Sequence, residues 1–119
     1  MNKVLVVLVL LCMFASLADA QLKVIGQGDA MRLDAEQFPA EMKQNYEVLL
    51  SKCTVCHSLN ITIQAVRTGQ GPLSREPFNQ QSARECVTRM MRKTGADIKN
   101  QDAKAVNNLI NYLLDKNAL

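Results

Sequence analysis

Residues Ser51 to Asn60 read SKCTVCHSLN. Two cysteines, Cys53 and Cys56, stand three positions apart, and the chain's one histidine, His57, follows the second directly. Thiols at this spacing can close a disulfide, hold a metal or be alkylated by a cofactor. A disulfide leaves the adjoining imidazole without a role. A zinc site needs four ligands, and no second Cys/His pair is present. A thioredoxin-like dithiol follows a strand and opens a helix, whereas the residues upstream of Cys53 carry the opposite pattern.

Upstream, Met42, Tyr46, Leu49, Leu50 and Cys53 fall at helical spacing, with Glu41, Lys43, Gln44 and Glu47 on the other face. Pro39 suits the first turn, where its missing N–H does no harm. The pattern predicts a helix that delivers Cys53 in its last turn. Downstream, Gly69, Gly71, Pro72 and Pro77 mark a loop over residues 58–77, with one short helical turn near Ile61 to Val66. A second helix is expected from Gln80 to Lys93, striped by Ala83, Cys86, Val87, Met90 and Met91 and stopped by Gly95. A third, capped by Asp102 or Asn100, carries Val106, Leu109, Ile110 and Leu113 inward with Tyr112 beside them. No segment reads as a strand. The fold class is all-α: three main helices joined by loops, preceded by an irregular arm whose Val24, Met31 and Leu33 can lie against the body.

The outer parts of the chain set the context. Met1-Asn2-Lys3 is positive, Val4 to Leu17 is largely apolar, and Ala18-Asp19-Ala20 has the small-x-small form of a signal-peptidase site. Residues 1–20 are expected to be an export signal cleaved after Ala20, residues 21–37 an N-terminal arm, and residues 38–119 one small domain. An uncleaved signal would act as a membrane anchor. Cleavage removes one lysine and one aspartate, so the formal net charge of +3 is kept. That mild, unclustered charge argues against nucleic-acid binding. Cleavage also removes Cys12 and leaves Cys53, Cys56 and Cys86, an odd number that fits a disulfide framework poorly. With no tryptophan and few other aromatics, so short a chain has little with which to fill a core.

C-x-x-C-H is the haem c attachment signature. Two thiols add across the two vinyl groups on one side of the porphyrin, and Thr54-Val55 sets their separation. An imidazole at the next position then reaches the iron. The expected cofactor is one covalent haem c, held by Cys53 and Cys56, with His57 as proximal iron ligand. A second histidine is not available, and methionine is the usual partner in electron carriers. Met31, Met42, Met90 and Met91 are the candidates. Met90 and Met91 follow the attachment site by enough chain to fold over the opposite face. Adjacent helix residues point about 100° apart, so one of the two faces the iron; Met90 is first choice and Met91 second. Cys86, one turn before Met90, is a small buried hydrophobe or a thiolate ligand. Arg67 and Arg75 are candidates for pairing with haem propionates.

CTVCHSL, together with VTRMM, GADI and LINYLL, resembles the small exported bacterial monohaem class I cytochromes c. The resemblance spans roughly residues 38–114. It departs from many relatives in having Ala83 where they carry tryptophan, and the doubled methionine leaves the register open. It implies a cytochrome c-like fold of three to four helices around the haem. It also implies that the first and last helices cross, Tyr46 or Leu49 meeting Tyr112 or Leu109. The function expected is periplasmic electron transfer, not an enzyme activity, with redox proteins as donor and acceptor. Arg84, Arg89, Arg92 and Lys93 could steer acidic partners. The rivals are a haem enzyme or gas sensor with an open distal site, and a cytochrome subunit of a dehydrogenase or oxidase complex.

Overall fold

The computed structural model describes residues 22–117. The expected export signal and its cleavage point after Ala20 lie outside the described residues.

The arm comes first. Val24–Ile25 (β1) and Arg32–Leu33 (β2) pair antiparallel, Val24 opposite Leu33 and Ile25 opposite Arg32, around a 3₁₀ turn at Gly28–Ala30. This corrects the expectation that the chain has no strand. The hairpin is short and its outward pair, Ile25 and Arg32, includes an exposed apolar residue, so alternation over two residues gives no readable signal. Gly26, at φ +78°, makes the turn possible; a Cβ there would lie 2.6 Å from the Ala30 carbonyl oxygen. The arm is anchored: Leu22 and Leu33 are buried, and the Leu33 N–H donates to the Tyr46 hydroxyl at 2.9 Å.

Four helices follow, one more than the three main ones expected. Ala40–Cys53 (α1) starts after Pro39 and ends on the first thiol. Asn60–Thr68 (α2) exceeds the single turn foreseen near Ile61 to Val66. Gly69 ends it in the left-handed conformation at φ +68°, donating its N–H to the Ala65 carbonyl at 2.9 Å. Gln80–Met91 (α3) opens with a capping box. Asn79 Oδ1 accepts from the N–H groups of Gln81 and Ser82, and the Asn79 N–H donates to Ser82 Oγ at 2.8 Å. Asn100–Asn117 (α4) is held at its start by Asp102. Its carboxylate accepts the Lys99 N–H at 2.9 Å from the third helical position.

α4 is the hub. α1, α3 and α2 all pack on it, with α1 closest along its length, while no Cα of α1 comes within 8 Å of any Cα of α3. The hydrophobic stripe of α4 is therefore buried throughout: Val106, Leu109, Ile110 and Leu113 are at most 4% exposed. Phe38 joins the first and last helices, its ring edge-on to Tyr46 at 6.1 Å and to Tyr112 at 5.5 Å. Asn117 Nδ2 donates to the Val66 carbonyl at 3.2 Å and ties the end of α4 to α2. No helix among the described residues is long and apolar enough to cross a membrane.

Candidate functional site

Because α1, α2 and α3 lean on α4 but α1 and α3 stay apart, a space opens between them. It is a cavity of about 410 Å³, within the range of small-molecule and cofactor sites, on the order of 300–1,000 Å³. Its floor is Val106 and Ile110 of α4. Leu49 and Cys53 of α1 and His57 form one wall, Ile61, Thr62 and Ala65 of α2 another. The facing wall is α3, with Ala83, Cys86, Val87 and Met90, and Ser82, Glu85 and Arg89 towards its edges. The loop after α2 covers the remainder with Gly71–Ser74 and Glu76–Phe78. That loop closes on itself. Phe78 N–H donates to Gly69 at 2.8 Å, Gly71 N–H to Glu76 at 2.9 Å and Arg75 N–H to Gly71 at 2.8 Å.

The motif is shaped by the end of α1. Thr54 Oγ1 donates to the Leu50 carbonyl and closes the last helical turn. Residues Thr54–Cys56 then turn, so Cys53 is half-buried in the cavity wall while Cys56 is exposed on the turn, beside Val55 at 76% exposure. His57 lines the cavity with its ring oriented by the backbone: Nδ1 lies 3.1 Å from the Ser58 carbonyl oxygen. A carbonyl can only accept, so in this hydrogen bond Nδ1 carries the proton, and Nε2 keeps its lone pair for a metal.

Cys53, Cys56 and Cys86 are all free thiols. Burial pushes the Cys53 thiol up from its ordinary 9.0, and Cys86 and Asp102 act in the same direction. That is the reverse of a reactive dithiol, whose nucleophile is lowered at a helix N-terminus; Cys53 sits at a helix C-terminus. Cys86 lines the same cavity from α3. The separation of α1 and α3 backbones keeps Cys53 and Cys86 beyond the span a disulfide bridges, about 4.4–6.8 Å between Cα atoms.

The structure thus brings together Cys53, His57, Cys86 and Met90 around one cavity. Cys56 and Met91 do not line it; Met91 packs half-buried against the hydrophobic core. Met31 and Met42 also pack against the core. Arg67 and Arg75 are exposed and off the cavity wall, whereas Arg89 is on it. Two features are not read from the sequence: that the loop marked by Gly69, Gly71, Pro72 and Pro77 lies over the cavity, and a cluster at the end of α1. In that cluster Lys52 Nζ lies 3.2 Å from Asp97 Oδ2 and 3.8 Å from Asp102 Oδ2. No sequence spacing signals contacts across 45 and 50 positions.

A flat apolar macrocycle fits these residues. The walls are mostly apolar, Cys53 and His57 line them at the end of α1 and Met90 lines them from α3, while Cys56 stands free on the adjoining turn. Among the described residues no group of three or more His, Cys, Asp or Glu side chains gathers to hold a bare metal ion. Comparison of the chain with protein-family models, with curated proteins and with solved structures yields no match.

Proposed function

We propose that the chain is an exported c-type cytochrome that carries single electrons between redox proteins. The observation that supports it most is the pairing of His57 and Met90 on different walls of one apolar cavity, with the first thiol of C-x-x-C-H in the same wall as His57. A bound haem c supplies one-electron exchange at iron. The residues of this chain would do the rest. Cys53 and Cys56 would anchor the group through thioethers. The Ser58 carbonyl accepts from His57 Nδ1, which leaves Nε2 as the atom that would bind iron. Met90, with Met91 as second choice, would supply the thioether sulfur from α3. Leu49, Val87, Val106 and Ile110 would exclude water from the centre.

The exposed cations Arg84, Arg89, Arg92 and Lys93 on and just past α3 favour an acidic donor or acceptor, with an association that weakens as salt rises. The hydrophobic leader of residues 1–20 directs the chain to the periplasm, where the oxidising milieu suits a protein loaded at free thiols only if loading precedes disulfide closure.

The test is the intact mass and spectrum of the protein secreted by a host able to attach haem. The expected result is one tetrapyrrole per chain, low-spin iron and the weak far-red charge-transfer band of sulfur ligation. Met90→Ala should abolish that band while the haem stays attached; a band that survives in Met90→Ala and disappears in Met91→Ala moves the ligand by one residue. A mass without tetrapyrrole overturns the proposal. High-spin iron that binds carbon monoxide in the parent protein turns it towards a haem sensor or enzyme.

A further inference from the structure

We infer that Lys52 is an ionic latch that ties the haem-attachment end of α1 to the corner that follows α3, and so sets how easily Met90 is displaced. The inference rests on the reading of Met90 as the iron ligand. A continuous path runs outside the cavity from one ligand-bearing element to the other. The Met90 carbonyl accepts the Lys93 N–H at 3.1 Å, and the Lys93 carbonyl accepts the Ala96 N–H at 3.0 Å. The next residue, Asp97, holds Lys52 Nζ at 3.2 Å, and Lys52 is the neighbour of Cys53. Asp102 holds the same ammonium at 3.8 Å and is itself fixed by the Lys99 N–H. The two carboxylates therefore clamp Lys52 from both sides of Ile98, which lines the cavity.

The two halves of the clamp differ. Asp97 is 81% exposed at its side chain and Asp102 12%. The Asp97 half is a surface ion pair, worth little to the fold and screened by salt. The Asp102 half is sheltered and resists screening. The backbones of α1 and α3 do not approach each other, so Lys52 reaches α3 only through the corner that follows it: Asp97 lies in that corner and Asp102 on α4. Releasing Met90 requires the last turn of α3 and the 92–99 corner to swing away, and the latch opposes that swing. A ligand that binds only the released form gains affinity in proportion to the population of that form.

Imidazole is the probe, titrated into the oxidised haem-loaded protein and followed by loss of the sulfur-ligation band. Lys52→Met and Asp97→Asn are expected to tighten imidazole binding by roughly threefold, the size of a surface pair's effect. Lys52→Arg should restore the parental value. Binding to the parent should also tighten as salt is raised to about 1 M, where the Debye length is about 3 Å, and binding to Lys52→Met should not. The unfolding midpoint of Asp97→Asn should stay at the parental value, which separates control of the ligand from a general loss of stability. Equal imidazole affinities in all four proteins overturn the coupling. Amide exchange over residues 92–99 reads the latch without the cofactor: faster exchange in Lys52→Met supports it, and unchanged exchange overturns it. A preparation lacking tetrapyrrole overturns the haem reading instead, and exchange alone then decides whether the latch exists.

Discussion

The two flanks of α4 are built differently. On the α1 side, the chain completes its own core: Leu22, Leu33, Phe38 and Tyr46 join Leu109 and Leu113 in one buried cluster off the cavity, and Leu109 has no exposed surface. On the α2–α3 side, Ile63 and Val66 are buried, and Ala83, Val87, Val106 and Ile110, though buried too, line the cavity. Large apolar side chains stand exposed near it, Leu73 at 87% and Ile61 at 39%. One flank is packed by the chain's own side chains; the other lines a cavity of about 410 Å³ with mostly apolar residues. The difference teaches where the proposed cofactor would sit: beside the flank on which the C-x-x-C-H motif ends α1.

The comparison predicts a ladder of effects. The largest is expected from replacing both Cys53 and Cys56 by Ala, which should leave no covalently haem-stained product and no cooperative unfolding transition by calorimetry. A normal transition in that variant would show that both flanks are self-sufficient. Leu109→Ala, on the flank packed by side chains, should destabilise the protein by about 2–5 kcal/mol in denaturant titration, with the spectrum of the loaded protein unchanged. A spectral change would mean that the flanks are not separable.

Tyr46→Phe is the smallest step. It strands the buried Leu33 N–H and should lower stability by about 1–3 kcal/mol. Burial raises the Tyr46 phenol above its ordinary 10.0 despite the Leu33 hydrogen bond. The folded state therefore keeps this proton longer than the unfolded state does. The stabilisation is full below pH 10.0 and is lost as pH rises through the folded-state value. Denaturant midpoints of the parent should fall above that pH more steeply than those of Tyr46→Phe; parallel curves would remove Tyr46 from the account.

Much of this was legible in the residues. The 3.6-residue stripes gave α1, α3 and α4 within a residue or two at most ends, and the inward faces of α1 and α4 were read correctly at Tyr46, Leu49, Val106, Leu109, Ile110 and Leu113. α2 is longer than the single turn expected near Ile61 to Val66, because the glycines and prolines that mark the loop begin only at Gly69, and Ile61, Thr62, Ile63 and Val66 are β-branched and weak helix formers by themselves. Burial of Ile63 and Val66 against α4 overrides that preference. The arm looked irregular because its order comes from one distant hydroxyl, Tyr46, and from burial of Leu22 and Leu33. For the site, the local motif was plain, and so was the need for a ligand from beyond it. Which methionine turns to the cavity depends on the register of α3 against α4, and helical spacing alone does not fix that. The Lys52 cluster was invisible for the same reason: it is made by the packing of helix ends far apart in the chain.

The hub arrangement has a consequence for how the molecule comes into being. Synthesis runs from the amino end, so α4 is the last of the four described helices to leave the ribosome, and before it arrives α1 and α2 have only the short N-terminal arm in common while α3 packs on neither. Most of the buried cluster therefore forms late, once the final helix has arrived, and until then the end of α1 with its two thiols lacks the neighbours that half-bury Cys53 in the finished molecule.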